Sequence, residues 1–249
     1  MNLSVVILTR NEEHNIKECV GCLDFCDEII IIDDNSFDNT IDLAKKLGAK
    51  VYRKKLRNDF AAQRNFGLKK AQAKWVLFVD ADERVTENLR NEIIQITNDP
   101  LIGYLGLYLR RDDYLWGKKL KYGETANVKL LRLARRKAGK WTRRVHEVWE
   151  IEGRTRELKN SLIHYPHPTM ADFLNSVNVM SSLHAKANLE EGKKSSLTKI
   201  IIWPIGKFVS NYLLKMGFLD GIQGFIVALV MSFHSFLAWS KLWFLQRKI

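Results

Sequence analysis

Three polar segments in the first hundred residues each follow an apolar, β-branched run: Thr9-Arg10-Asn11-Glu12 after LSVVIL, Asp33-Asp34 after EIIII, and Asp80-Ala81-Asp82 after WVLFV. In an open parallel sheet ligands bind outside the carboxyl ends of the strands, so these segments are expected to converge. Carboxylates there would repel an anionic nucleotide unless a divalent cation lay between, and Mg²⁺ or Mn²⁺ accepts one or two carboxylates together with phosphate oxygens. Asp80 and Asp82 are the candidate metal ligands. The pattern Asp-x-Asp is weak alone, but this copy is the only one in the chain and directly follows an apolar strand. A helix N-cap at Asp82 is the ordinary alternative. The absence of a glycine-rich loop after any of these runs argues against a dinucleotide-binding fingerprint and against a P-loop.

The elements that position these groups follow from periodicity. LSVVILT and the continuous run Ile29 to Ile32 suit strands covered on both faces. A helix carrying Ile16, Cys19, Val20 and Leu23 on one side follows the first, and the turn from Asp33 to Asn39 opens a helix through Leu47. Gly48 to Tyr52 starts a third strand, and a helix from Phe60 to Ala71 leads into the fourth, Trp75 to Val79. Strands alternating with helices through residue 99 predict an α/β, Rossmann-like parallel sheet. The chain divides into residues 1–99, residues 100–170 as a second half of the same domain, and a helical extension over 171–249.

The 249 residues, 46% hydrophobic and 27% charged, suffice for one large or two small domains and exclude a disordered or collagen-like chain. Lys and Arg exceed Asp and Glu by 40 to 28, a net +12 that calls for an anionic partner. The charge is local: residues 100–165 hold 16 Lys+Arg and 7 Asp+Glu, which is +9 of the total. Cys19, Cys22 and Cys26 have no further cysteine to pair with, so reduced, buried thiols are expected. The N-terminus enters a strand directly, without the pattern of a secretory signal, and a cytosolic fold is expected.

Toward the C-terminus the pattern suits a different solvent. From Ile205 to Met216, apolar Ile205, Phe208, Val209, Tyr212, Leu213 and Met216 follow helical spacing while Lys207, Ser210, Asn211 and Lys215 take the other side, as in an interfacial helix. Gly221 to Ser240 then runs twenty residues without a formal charge, with basic residues flanking both ends. An in-plane or re-entrant segment is favoured over a crossing.

The motifs SVVILTRNEE, IIIIDDNS, AAQRNFGL and VLFVDADE, in that order, resemble glycosyltransferase family 2. The resemblance implies a nucleotide-diphospho-sugar transferase fold of the A type, a UDP-sugar donor and inversion at the anomeric carbon. Carried over, Thr9 and Asn11 lie beside the nucleoside, Asp34 accepts from the uracil imide with Asp33 as neighbour, Arg64 approaches the base or phosphates, Asp80 faces the ribose and Asp82 binds the metal. Glu12 is able to take the imide instead of Asp34. Arg64 offers a fork of donors suited to phosphate, or else an ion pair with a neighbouring carboxylate.

Inversion needs a base for the acceptor hydroxyl. Glu147, in the Val-His-Glu triplet of GKWTRRVHEVWEIEG, resembles the corresponding element of family 2 enzymes that build lipopolysaccharide core; a salt bridge to Arg143 or Arg144 is its ordinary role, His146 is base or orienter, and Asp112 or Asp113 is the reserve. Trp116, Tyr122, Trp141 and Trp149 interleave with Arg110, Arg111, Lys118, Lys119, Lys121, Arg143 and Arg144, a composition suited to stacking on sugars and holding phosphates. Trp116, Tyr122, Arg143 and Arg144 are the acceptor candidates. The expectation is an inverting hexosyltransferase using a divalent cation to move glucose from UDP-glucose to a heptose of the lipopolysaccharide inner core. It would work at the cytoplasmic face of the bacterial inner membrane, peripheral or monotopic on an anionic surface, with no nucleic acid partner. Transfer to polyprenyl phosphate or another envelope glycan, and a non-catalytic sugar-nucleotide scaffold, are the alternatives.

Overall fold

The apolar runs become the middle of one sheet. In the computed structural model, which describes residues 1–99, 101–144 and 147–247, β1 (Leu3–Thr9), β2 (Glu28–Asp33), β3 (Lys50–Arg53) and β4 (Trp75–Asp80) lie parallel in the order β3-β2-β1-β4. The helices α1 (Ile16–Gly21), α2 (Thr40–Lys46) and α3 (Phe60–Lys70) join them. Alternate side chains enter two cores. Val5, Ile7, Ile31, Leu77 and Val79 fill one; Val6, Ile30, Ile32, Val76 and Phe78 fill the other. Covering on both faces is why these strands read as unbroken apolar runs. The register sets Thr9 beside Asp33 and Leu8 beside Asp80, which levels the polar strand ends along one edge.

Beyond β4 the sheet becomes antiparallel. β5 (Glu83–Val85) and α4 (Glu87–Asn98) precede β6 (Gly106–Leu115), β7 (Lys118–Lys119), β8 (Val128–Arg135), β9 (Gly139–Thr142), β10 (Val148–Ile151) and β11 (Thr155–His164). β8 pairs with β4 and with β6, β7 with the end of β6, and β11 with β5, all antiparallel. β5 begins right after Asp82 while Thr86 caps α4, so Asp82 is not a helix cap. β9 and β10 form a separate hairpin. Its Trp141 and Trp149 stack at 5.2 Å with Phe78 edge-on to both. Expected among the sugar-stacking aromatics, these two tryptophans are core residues, 5% and 2% exposed, because the hairpin packs its apolar side against the sheet.

The chain forms two compact units, Met1–Arg111 with Val128–His164, and Asp112–Asn127 with Tyr165–Ile249. The excursion 112–127 thus belongs with the C-terminal helices. In this second unit α7 (Gly221–Arg247) packs against α5 (Met170–Glu190) and α6 (Leu197–Val209). Leu115, Leu120, Phe173, Val177, Val227 and Val230 form its core. Buried Asp220 accepts from the backbone N–H groups of Lys121 and Tyr122 at 3.0 and 2.8 Å. Glu124 meets Lys207 Nζ at 2.7 Å and Asn211 Nδ2 at 2.6 Å. Of the expected interfacial stripe, Ile205, Val209, Leu213 and Met216 are exposed, while Asn211 on its polar side is buried within the unit. The helix also stops at Val209, where a π-helical turn Ser210–Leu214 takes over.

The thiols of Cys19, Cys22 and Cys26 are free. Burial raises the pKa of Cys19 and Cys26, so they behave as protonated packing groups.

Candidate active site

At the carboxyl edge of the parallel strands two loops are stitched together. Asn11 adopts φ +57°, a left-handed conformation that asparagine tolerates, and so presents its backbone N–H to Ser36 Oγ at 2.9 Å and its Oδ1 to the N–H of Phe37 at 3.0 Å. Glu12 N–H donates to Thr40 Oγ1 at 2.7 Å and Glu13 N–H to Asp38 at 3.1 Å. Asp33 is fully buried within this stitching, accepting from Ser36 N–H at 2.9 Å and from Thr9 Oγ1 at 3.2 Å. Asp34 accepts from Leu56 N–H at 2.8 Å and pairs with exposed Arg10 at 3.2 Å. Thr9, Asn11, Glu12, Asp33 and Asp34 therefore share one edge.

Beside this edge lies a chain of buried charges. Asp59 caps α3, accepting from Ala62 N–H at 2.8 Å. A Cβ at Gly67 would lie 2.4 Å from Val6 Cγ1, so glycine there lets α3 approach β1 closely and carry Arg64 inward. Arg64, 4% exposed, donates through Nε to Glu147 Oε1 at 2.8 Å and through Nη2 to Asp80 Oδ1 at 3.0 Å. Its guanidinium lies over Trp141 and Phe78, at 4.8 and 5.6 Å from the ring centroids. Asn65 fixes the β9–β10 hairpin by exchanging two hydrogen bonds with the Trp141 backbone. Arg132, on β8, grips both Asp80 oxygens, at 2.5 Å to Oδ2 and 3.3 Å to Oδ1. Glu83, wholly buried, accepts from Asp80 N–H at 2.9 Å and lies 3.9 Å from Arg132. Burial alone would raise the Asp80 carboxyl, but the charges of Arg132 and Arg64 outweigh it and hold it well below the usual carboxylate range. For Glu83 burial wins, and its pKa is raised.

Asp82 has a different environment. Its Oδ2 lies 3.3 Å from His164 Nε2, at the end of β11. A carboxylate oxygen next to an imidazole nitrogen is a donor set that Mn²⁺ accepts, whereas both oxygens of Asp80 already serve guanidinium groups. Among the described residues no group of three or more His, Cys, Asp or Glu side chains is arranged to hold a metal. The pair fits an ion that takes its remaining ligands from phosphate and water.

Of the expected site residues, the structure brings Arg64, Asp80 and Glu147 into one hydrogen-bonded chain. Glu147 pairs with Arg64, and His146 lies outside the described residues. Arg143, with φ +64°, and Arg144, whose carbonyl accepts from Phe60 N–H at 3.0 Å, belong to the first unit. Trp116 and Tyr122 belong to the second, as do Asp112, paired with Lys119 at 2.6 Å, and buried Asp113. Three site residues went unmarked in the sequence: Arg132, Glu83 and His164. The one signal for Arg132 is a lone arginine inside LLRLA; Glu83 directly follows the Asp-x-Asp; His164 has none.

A parallel β/α half with carboxylates and a buried arginine at its carboxyl edge, continued by an antiparallel half, defines a nucleotide-sugar transferase fold of the A type. Residues 4–171 match the glycosyl transferase family 2 model, and the chain belongs to that family. It is 28% identical over 250 residues to the lipopolysaccharide core biosynthesis glycosyltransferase LpsC of Rhizobium meliloti, covering 97% of this chain and 92% of that protein. It is 28% identical over 255 residues to a glycosyltransferase of Rickettsia typhi, covering 96% and 86%. Among solved structures it resembles Staphylococcus aureus TarS 1–349, with 16% identity and a TM-score of 0.49 over 100% of this chain and 92% of that one.

Burial, reinforced by the charges of Asp82, Asp38 and Asp80, pushes the Glu12 carboxyl up to about 7, although Asn15 donates to it. Folded Glu12 thus keeps its proton where the unfolded side chain has lost it, and stability in the ligand-free protein falls as pH rises from 4.5 toward 7. Glu12→Gln removes this loss. Its stability relative to wild type is expected to improve by about 1–2 kcal/mol between pH 5 and pH 8 in urea unfolding, a figure reduced for partial exposure. An equal difference at both pH values would contradict the assignment.

Proposed function

We propose that the protein is an inverting glycosyltransferase that moves a hexose, glucose from UDP-glucose, onto a heptose of the lipopolysaccharide inner core. The observation that carries this reading is Arg64, which joins Asp80 of the donor edge to Glu147 through two different nitrogens. Its support comes from the family and from the similarity to LpsC, a lipopolysaccharide core biosynthesis enzyme.

The residues divide the work. Thr9, Asn11, Glu12 and Asp34 line the nucleoside edge, with Asp33 holding its loops, and Asp80 accepts from the ribose. Asp82 and His164 would hold a divalent cation, Mg²⁺ or Mn²⁺, which when bound neutralises charge developing on the departing diphosphate. Glu147 takes the proton of the acceptor hydroxyl as its oxygen bonds to the anomeric carbon. The bond from that carbon to the diphosphate oxygen breaks on the opposite face, and UDP leaves with the electron pair. Arg64 holds Glu147 in place through a fixed fork rather than a mobile chain. Arg143 and Arg144 of the first unit serve the phosphorylated acceptor.

The acceptor is a glycolipid, and the second unit suits its solvent. Gly217–Arg247 is the one helical stretch among the described residues long and apolar enough, by length and composition, to cross a membrane. α6 and α7 expose Ile201, Ile202, Trp203, Ile222, Leu229 and Phe233, while the polar groups Lys207 and Asn211 turn inward to Glu124. A surface sorted in this sense is stable against lipid and costly against water. The unit inserts monotopically at the cytoplasmic face of the inner membrane.

Acceptor-dependent UDP release is expected with UDP-glucose, a truncated lipopolysaccharide and Mn²⁺ or Mg²⁺, and is expected to fall at least about a hundredfold in both Asp82→Ala and Glu147→Gln. Release that survives Glu147→Gln would remove it as the base. In vesicle flotation at high salt the intact chain should float, and a variant with Leu214, Ile222 and Leu229 all replaced by Asp should not. Flotation of that variant would contradict insertion by this face.

A further inference from the structure

Arg132 lies in none of the motifs that mark the donor edge, yet its two terminal nitrogens grip both oxygens of Asp80 there. It is 6% exposed, on an apolar strand between Leu131 and Leu133. A guanidinium in such a place loses hydration worth several kcal/mol, which an apolar side chain would avoid. Asp80 and Glu83 offset that loss. The arrangement has a consequence at the Asp80-Ala81-Asp82 turn. Asp80 Oδ1 receives Arg132 Nη1 and Arg64 Nη2, and Oδ2 receives Arg132 Nη2. A carboxylate offers about four acceptor positions, so Asp80, 31% exposed at its side chain, keeps room for a hydroxyl and little for a cation. Asp82, two residues on, is 27% exposed and lies against His164.

The geometry points to Arg132 as a positioning residue that sorts the two carboxylates of this turn, its fork reserving Asp80 as a hydrogen-bond acceptor for the bound nucleotide and leaving Asp82 as the carboxylate that faces the cation. The inference rests on the donor reading given above. Arg132 acts through Asp80, both of whose oxygens it holds. A fork fixes both oxygens at once, whereas an ammonium is a point charge that fixes neither orientation.

The test is UDP binding to the full chain by calorimetry with Mn²⁺ present, in wild type, Arg132→Lys, Asp80→Asn and the double variant. Arg132→Lys keeps the positive charge that Asp80 and Glu83 need. It is expected to weaken UDP binding about tenfold or more, and to have under about threefold effect when Asp80 is already Asn. Binding by Arg132→Lys within threefold of wild type, or a full further loss in the Asp80→Asn background, overturns the positioning role. Should Arg132→Lys lose its near-ultraviolet circular dichroism, Asp80→Asn with Arg132→Gln removes both charges together. This pair should bind UDP as Asp80→Asn does, and binding more than threefold weaker overturns the role. Wild type that binds no UDP with Mn²⁺ overturns the donor reading and this inference with it.

Discussion

The rest of the site depends on how one carboxylate, Asp80, is neutralised. It stands at the end of a central strand, between two arginines that are themselves buried. Removing one member of such a buried set leaves an unpaired charge, at a cost of about 3–5 kcal/mol. The set also spans the fold: Arg64 comes from α3, Arg132 from β8 and Glu147 from the segment between β9 and β10. Ion pairing around Asp80 therefore ties the parallel half to the antiparallel half at the carboxyl edge of the sheet.

That arrangement gives each carboxylate a distinct task. Glu83 lies behind Asp80 and holds its backbone N–H, Asp80 carries the arginines, and Asp82 meets an imidazole. Neighbours in sequence thus diverge in chemistry because successive side chains enter different surroundings. Glu12, on the same edge, is pushed up to about 7 chiefly by burial, with the charges of Asp82, Asp38 and Asp80 adding to it.

Much of this was legible in the sequence. The strands Leu3–Thr9, Glu28–Asp33 and Trp75–Asp80 follow from continuous apolar runs, and their polar ends locate the candidate site. Arg64 and Glu147 were marked as candidates by residue type and resemblance. What stayed hidden is long-range pairing: His164 reaches Asp82 from 82 positions away along the chain, and Arg132 reads as one of many basic residues until β8 pairs with β4. The tryptophans of the β9–β10 hairpin misled for the opposite reason, since aromatic residues among arginines look like a sugar platform until tertiary packing buries them. The C-terminal helices were legible as apolar, and the apolar stripe from Ile205 to Met216 is exposed at Ile205, Val209, Leu213 and Met216, but the burial of Asn211 on the polar side was not legible. That burial depends on Glu124, brought to Lys207 and Asn211 by the excursion 112–127.

On the proposed reading the cation meets Asp82 and His164 while the arginines retain Asp80. The most direct measurement is the anomalous scattering of Mn²⁺ in crystals of the protein with UDP. A single peak within coordination distance of Asp82 and His164, with Arg64 and Arg132 still paired to Asp80, is the predicted result. A peak coordinated by Asp80, with either arginine displaced, would contradict the account.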